Sequence, residues 1–390
     1  MTPYELEQNK LVKHSRLPIY LDHNASTPVL AEVVDAMLPY LREHFGNPSS
    51  THLFGRTMHD AVARAREQVA RLIECRPDEV YFTSGGTEAN NLAIRGVAAA
   101  VPARRHILTC VIEHPATAGP CAWLEQQGYA VTRVEVDGAG RVLPERVQEC
   151  LGPETALVTI MHANSETGTL QPIAEIAELA HSTGALMHTD AAQSCGKIRV
   201  STRHEKVDLL SIAGHKLYAP QGVGALFVRA GTPIKPLLIG AGHERGLRPG
   251  TENVASVVGL GQACEVARRS LVEEGERLSR LRDRLWSLLK EAIPAIALNG
   301  YPAERLPNTL NVRFPAVAGN TLLAACPAIA ASTGSACHEL GDSASQVILA
   351  MGIGESEAIG SVRLSLGRGN TRQEIDLAAT ELISAWNKLT

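Results

Sequence analysis

Two apolar runs that each end in a charged side chain constrain this chain most. Residues 185–187 lead into His188-Thr189-Asp190, and residues 207–212 lead into Ala213-Gly214-His215-Lys216. Each run has the length and bounding residues of a buried strand. A carboxylate and an amine are costly to bury without partners, so their positions predict a polar site where the strands end. The segment between them is long enough for a crossover that returns to the same sheet edge. In open α/β sheets, ligands bind beyond the carboxyl ends of the strands. An acid and a lysine delivered there suit the ring nitrogen and the imine carbon of pyridoxal phosphate (PLP). A salt bridge at a strand end would use the same two residues.

The rest of the chain supplies more strand ends of this kind. Strands are predicted at 18–21, 80–83, 106–111, 129–134 and 157–162, alternating with helical stretches. The chain up to about residue 230 therefore reads as one α/β domain on a parallel sheet. Val80-Tyr81-Phe82-Thr83 runs into Ser84-Gly85-Gly86-Thr87-Glu88 and an alanine-rich helix over 89–100. Glycines let the backbone approach an anion, and the first amides of the helix face it with the helix dipole behind them. Thr87 adds a hydroxyl. With no Walker lysine and no GxGxxG, a nucleotide is not indicated. An ordinary strand-to-helix turn capped by Thr87 is the plainer reading. Further strands end at His114 and Asn164, so five sets of polar groups converge on one edge. The loop at 240–253 is glycine-rich, basic and long, which marks it as functional. Residues 254–293 read as one long helix or two. Strands at 308–314, 328–331 and 362–366, with helices at 343–351 and 371–386, predict a small α+β domain.

At 390 residues the chain is long for one core, and two domains are expected. The net charge of −4 gives no basic field for nucleic acid or membrane. Aromatic content of 4% argues against a stacking surface for single strands. Residues 1–16 are polar and lack the apolar core of a signal peptide, and no apolar run approaches the ~20 residues of a membrane helix. Eight cysteines with no CxxC and no Cys/His cluster read as reduced thiols in a cytoplasm, with no metal site. His114, before Pro115, reads as a helix-capping core histidine or as a functional one. Arg363 is a surface charge or, through its planar fork, a carboxylate clamp. Cys337 stands among small and polar residues at 332–342. A catalytic thiol must ionise and reach its target, and the neighbouring His338 can help it ionise.

Seven motifs lie in register: Leu21-Asp22-His23-Asn24-Ala25-Ser26-Thr27-Pro28, Gly46-Asn47-Pro48-Ser49-Ser50, Thr83-Ser84-Gly85-Gly86-Thr87-Glu88, Glu113-His114, Asp190-Ala191-Ala192-Gln193, Gly214-His215-Lys216 and Gly334-Ser335-Ala336-Cys337. Together they closely resemble the NifS/IscS-like cysteine desulfurases, class V aminotransferases of PLP fold type I. The resemblance implies a large α/β domain over 18–258 with a mostly parallel seven-stranded sheet. It implies a small α+β domain from 1–17 and 259–390 that carries the catalytic cysteine. It implies a homodimer that converts L-cysteine to L-alanine, with sulfur held as a persulfide on Cys337 for an acceptor such as an iron–sulfur scaffold. In this family Lys216 would hold PLP as a Schiff base and move the substrate α-proton, and Asp190 would pair with the ring N–H. His114 would stack on the ring and shuttle protons, and Asn164 and Gln193 would bond its phenolic oxygen. Gly86, Thr87 and His215 would hold the phosphate, with Thr251 reaching it from the partner subunit. Arg363, with Asn164, would bind the substrate. One departure is Ala213, where the family usually has a phosphate-binding serine; Ser211 is the expected replacement. The run 248–253 and the residues around Cys337 also resemble selenocysteine lyases, which makes L-selenocysteine the alternative substrate.

Overall fold

The structure is a computed structural model in which residues 17–334 and 344–390 are described. In chain order the strands are β1 (Ile19–Tyr20), β2 (Val80–Thr83), β3 (His106–Cys110), β4 (Ala130–Val134), β5 (Thr155–Thr159), β6 (Leu186–Asp190), β7 (Leu209–Ala213), β8 (Gly224–Val228), β9 (Ala297–Asn299), β10 (Thr309–Arg313), β11 (Ile329–Ala330) and β12 (Ser361–Ser365). The helices are α1 (Ala31–Arg42), α2 (Leu53–Leu72), α3 (Gly86–Ala100), α4 (Pro115–Gln126), α5 (Pro144–Cys150), α6 (Ile173–Ser182), α7 (Val254–Ala292), α8 (Gly319–Ala324), α9 (Gln346–Ala350), α10 (Glu355–Ala358) and α11 (Arg372–Leu389).

Seven strands form the main sheet in the order β2-β8-β7-β6-β5-β3-β4. Neighbours from β7 to β4 run parallel, whereas β8 is antiparallel to both β7 and β2. The expected mostly parallel seven-stranded sheet is found, with β8 as its antiparallel member. The connection from β7 to β8 passes through a short 3-10 turn at 214–216 rather than a helix. A connection that short reverses the chain but cannot cross over. Strands β5, β7 and β8 are buried at every position, as a sheet covered on both faces requires. Alternation sends Leu210 and Ile212 of β7 into one core with α2, α6 and the start of α7, and Leu209 into the other with α3.

A second sheet, β12-β10-β9, is antiparallel throughout. It packs with α11 and the far half of α7 through Leu281, Leu285, Leu289, Ile375 and Leu382. The stretch at 254–293 is one helix of 39 residues, about 58 Å long. Its first half belongs to the main core through Val257 and Leu260, and its second half to the smaller one. Sequence patterning missed α4, because Gly119 and Pro120 interrupt its apolar stripe. The signal that remained was Pro115 at its first position.

Helices α2 and α7 approach each other at a glycine. A Cβ on Gly261 would lie 2.6 Å from the Cα of Ala65 and 2.8 Å from its Cβ. Alanine would favour the helix by ~1 kcal/mol, yet overpacking costs about 1–3 kcal/mol, and here the obstacle is backbone. Gly261→Ala should therefore lower the thermal midpoint by several degrees. A midpoint equal to or above wild type would show that the helices can separate freely.

Candidate active site

The carboxyl ends of β2, β3, β5, β6 and β7 open on a cavity of 290 Å³. It is lined by Gly86 and Thr87 after β2, His114 after β3, Ala163 and Ser165 after β5, Asp190 and Gln193 with β6, and Ala213, His215 and Lys216 with β7. Asn24 and Ala25 close it from the segment after β1, and Arg363 reaches it from β12 of the smaller sheet.

Asp190 ends β6 and is 8% exposed. Its Oδ1 accepts from the Ala192 amide at 2.9 Å, and its Oδ2 accepts from Asn90 Nδ2 at 2.7 Å. Asn90 is fully buried in α3, and its own Oδ1 has no partner. The helix that begins at Gly86 thus also orients the acid. The sequence reading missed Asn90; its only signal was an amide pair, Asn90-Asn91, in an alanine-rich helix. Gly85 precedes α3 at φ +151°, and no side chain caps the helix. Thr87 is therefore inside the first turn and not its cap, which leaves the first amides available to an anion. A Cβ on Gly86 would meet the Ala213 Cβ at 3.2 Å, so both small residues keep this approach open.

His114 caps α4, with Nδ1 accepting from the Ala116 amide at 3.1 Å. Its proton in the neutral ring is therefore on Nε2. Burial lowers its pKa, Asp190 opposes that shift and Lys216 adds to it, so the ring is neutral at pH 7. The capping and functional readings of His114 are compatible, because they use different nitrogens. Burial, and then the Lys216 charge, lower the His215 pKa to about 4. Lys216 donates from Nζ to the carbonyl oxygens of Asn24 and Ala25 at 2.7 and 2.8 Å.

Arg363 is 1% exposed. It donates to Asp22 Oδ1 at 2.7 Å and to the Ser165 carbonyl at 3.2 Å, while its buried Nε has no partner. Gln193 donates from Nε2 to the Asn24 carbonyl at 3.0 Å and accepts on Oε1 from Lys197 Nζ at 2.8 Å. Neither Asn24 nor Lys197 was singled out from the sequence, because their polar partners lie far along the chain.

Three expected residues do not line the cavity. Ser211 is fully buried and bonded through Oγ to His188 Nε2 at 3.0 Å. It shares a face of β7 with Ala213 but sits one repeat further from the strand end, so it does not replace the missing serine. Asn164 is fully buried, and its Oδ1 accepts from the amides of Glu166 and Thr167 at 2.9 and 3.0 Å. It holds the turn that carries Ala163 and Ser165 to the wall. Thr251 is exposed in the long loop, which is tied down by Arg66–Glu244 and Arg248–Glu88 ion pairs. Cys337 lies outside the described residues. Six of the seven described thiols are raised by burial: Cys75 and Cys121 to about 12, Cys326 to about 11, and Cys110, Cys195 and Cys264 further. Among the described residues no group of His, Cys, Asp or Glu could hold a metal.

The donor set fits PLP: an acid for the ring nitrogen, an amine for the aldehyde carbon and an uncapped helix N-terminus for the phosphate, all on one cavity. Comparison with known proteins agrees. The family described as Aminotransferase class-V matches residues 19–377. A protein named cysteine desulfurase from Trichormus azollae is 46% identical over 360 residues, covering 92% of this chain and 90% of the relative. A solved structure titled NifS-like protein superposes with a TM-score of 0.90 at 35% identity, covering 96% of this chain and 100% of that one. Another, titled SspA in complex with cysteine, gives 0.80 at 35% identity over 89% and 98%.

Three histidines make the cofactor-free chain sensitive to acid. Burial lowers His23, His188 and His215 to about 4 in the folded state, against about 6.5 in an unfolded chain. The unfolded state takes up these protons first, so their contribution is complete above pH 6.5 and is lost as pH falls toward 4. These three histidines should pull the thermal midpoint down between pH 6.5 and 5, and replacing His188 should flatten that drop. A flat midpoint across that window would contradict this burial.

Proposed function

The chain belongs to the class V aminotransferase family and, within it, to the PLP-dependent cysteine desulfurases, and from that membership we propose how its residues convert L-cysteine to L-alanine. The observation that carries the assignment is that one cavity gathers Asp190, Lys216, His114, Arg363 and the uncapped start of α3. PLP, when bound, supplies an electron sink for negative charge at the substrate Cα.

Gly86, Thr87 and His215 hold the phosphate, with the dipole of α3 behind them. Asp190 would accept from the ring N–H, and Asn90 and Ala192 hold its carboxylate in place for that task. Gln193 Nε2 would donate to the phenolic oxygen, whereas Asn164, expected to share that oxygen, is buried behind the cavity wall and supports it by holding the turn that carries Ala163 and Ser165. Lys216, whose Nζ is held at the cavity by the Asn24 and Ala25 carbonyls, would be the residue that holds the cofactor covalently, and the same atom would take the substrate α-proton. His114 would lie against the ring, and its Nε2, free of the cap that Nδ1 makes, would move protons at the substrate sulfur. Arg363 uses two of its five N–H donors within the protein, which leaves a fork for the substrate carboxylate.

Cys337 as thiolate attacks the substrate sulfur. The new S–S bond forms as the Cβ–S bond breaks, its electron pair stays on the carbon side, and a proton completes alanine. The high pKa values of the buried described thiols support giving this role to Cys337. The persulfide then passes to an acceptor protein, for which an iron–sulfur scaffold is a fitting class. We place the enzyme in the cytoplasm as a homodimer in which Thr251 approaches the partner's phosphate. Phe45, Leu53, Phe54 and Ile239 support pairing, being 80%, 67%, 55% and 91% exposed, and Pro48 and Ser49 of the loop before α2 line one groove with Glu252, next to Thr251. We assign residues 18–258 to the large domain and 259–390, with 1–17, to the small one, with two crossings of that boundary: Leu260 to Ala267 of α7 pack in the larger core, and Ile19 and Leu21 in the smaller.

Alanine formation from L-cysteine and L-selenocysteine, with and without reductant, tests this assignment. Wild type should release alanine from cysteine and require reductant for repeated turnover. Cys337→Ala should lose at least 100-fold in that rate while keeping the cofactor's colour. Arg363→Ala should lose about 30–1000-fold in kcat/KM, as removal of a buried charged hydrogen-bond partner costs about 2–4 kcal/mol. A Cys337→Ala enzyme at the wild-type rate, or alanine from selenocysteine alone, would overturn it.

A further inference from the structure

Lys197 is a second lysine turned toward this site. Its stem lines a surface groove beside Ile198 and Leu271, while its ammonium points inward. Nζ donates to Asn24 Oδ1 at 2.9 Å and to Gln193 Oε1 at 2.8 Å. Both acceptors are neutral amides, and among the described ion pairs Lys197 has none. An inward ammonium without a carboxylate carries a desolvation cost that an apolar side chain would avoid. Burial, then the charges of Lys216 and Arg363, push its pKa well below the ordinary lysine value. Such a lysine does little for stability, and its bonds show what it does instead.

We propose that Lys197 is a positioning residue of the desulfurase reaction: by occupying Gln193 Oε1 and Asn24 Oδ1 it fixes which end of the Gln193 amide faces the cofactor. Gln193 Nε2 and Lys216 Nζ donate to the same oxygen, the Asn24 carbonyl. The donor end of Gln193 is thus beside the amine that links the cofactor. Reversing the amide would set Oε1 against the Asn24 carbonyl oxygen and Nε2 against the Lys197 amine. Both contacts pair like with like, so the reversed form is excluded while Lys197 is present. Asn24 is fixed in the same way, because its Oδ1 accepts from Lys197 and Asn308 while its Nδ2 donates to Ser165 and Thr309. The arrangement does not depend on titration. Charged or neutral, the amine has the two hydrogens that its two acceptors need, and in either state a reversed Gln193 still sets Oε1 against the Asn24 carbonyl oxygen.

The inference rests on the PLP reading above, and its test separates the two. Holoenzymes of K197M, Q193A and K197M/Q193A are compared with wild type by the absorbance maximum of the bound cofactor, its dissociation constant, and kcat and KM for L-cysteine. K197M should shift the absorbance in the same direction as Q193A and lower kcat about tenfold, with KM changed less than about twofold. The double variant should be no worse than Q193A alone, because both act through one amide. If K197M does not fold, K197Q is read by the same criteria, since its shorter side chain cannot reach both acceptors. A wild-type spectrum and kcat in the Lys197 variant, or losses that multiply in the double, would overturn the inference. A Lys216→Ala enzyme that kept its colour and activity would instead overturn the PLP reading.

Discussion

Asn24 is where the two halves of the molecule meet. It is 1% exposed and makes seven hydrogen bonds, so every polar group it carries is used. Its amide N–H and side-chain nitrogen reach Ser365 and Thr309 in the smaller sheet and the Ser165 carbonyl beyond β5. Its two oxygens accept from Gln193 and Lys197 after β6, from Lys216 after β7, and from Asn308. A buried amide with all its partners is strongly oriented, and removing any partner strands another polar group. The position of Lys216 is therefore set by contacts from both sheets rather than by its own turn alone. Arg363 follows the same logic, since it leaves β12 of the smaller sheet and bonds Asp22 and Ser165 at the mouth of the larger one.

Charge at the site is arranged for what it receives. Lys216 and Arg363 bring basic groups to a region whose acids include Asp190 and Asp22, the buried Glu113 carboxyl is pushed up to about 8, and the histidines are kept neutral by burial. A phosphate and a substrate carboxylate would meet those basic groups. Under the proposed reading Asp190 would meet the other need, a ring nitrogen that must keep its proton. Because α3 supplies both the anion cradle and Asn90, one rigid helix sets the distance between the phosphate end and the acid end. This is how a preorganised site avoids reorganisation during reaction.

Much of this was legible in the chain. The strands of the main sheet were read to within a few residues, because short apolar runs closed by turn formers are a local property. Asp190 and Lys216 stood out for the same reason, as charged groups ending such runs. The reversal of β8 was not legible, since strand direction depends on how far a connection can reach. Ser211 was placed on the right face but at the wrong depth, because alternation gives the face and not the distance from the strand end. Asn24, Asn90 and Lys197 escaped notice because their roles lie in partners distant along the chain. Asn24 and Ser365 are 341 positions apart. Local patterning cannot show such a pairing, whereas family resemblance located the motifs without explaining the bonds.

With two lysines sharing Asn24, the most direct measurement is to reduce the holoenzyme with borohydride and map the pyridoxyl group by peptide mass. The account predicts a single adduct on the peptide containing Lys216, with Lys197 unmodified. An adduct on Lys197, or none on either lysine, would contradict it.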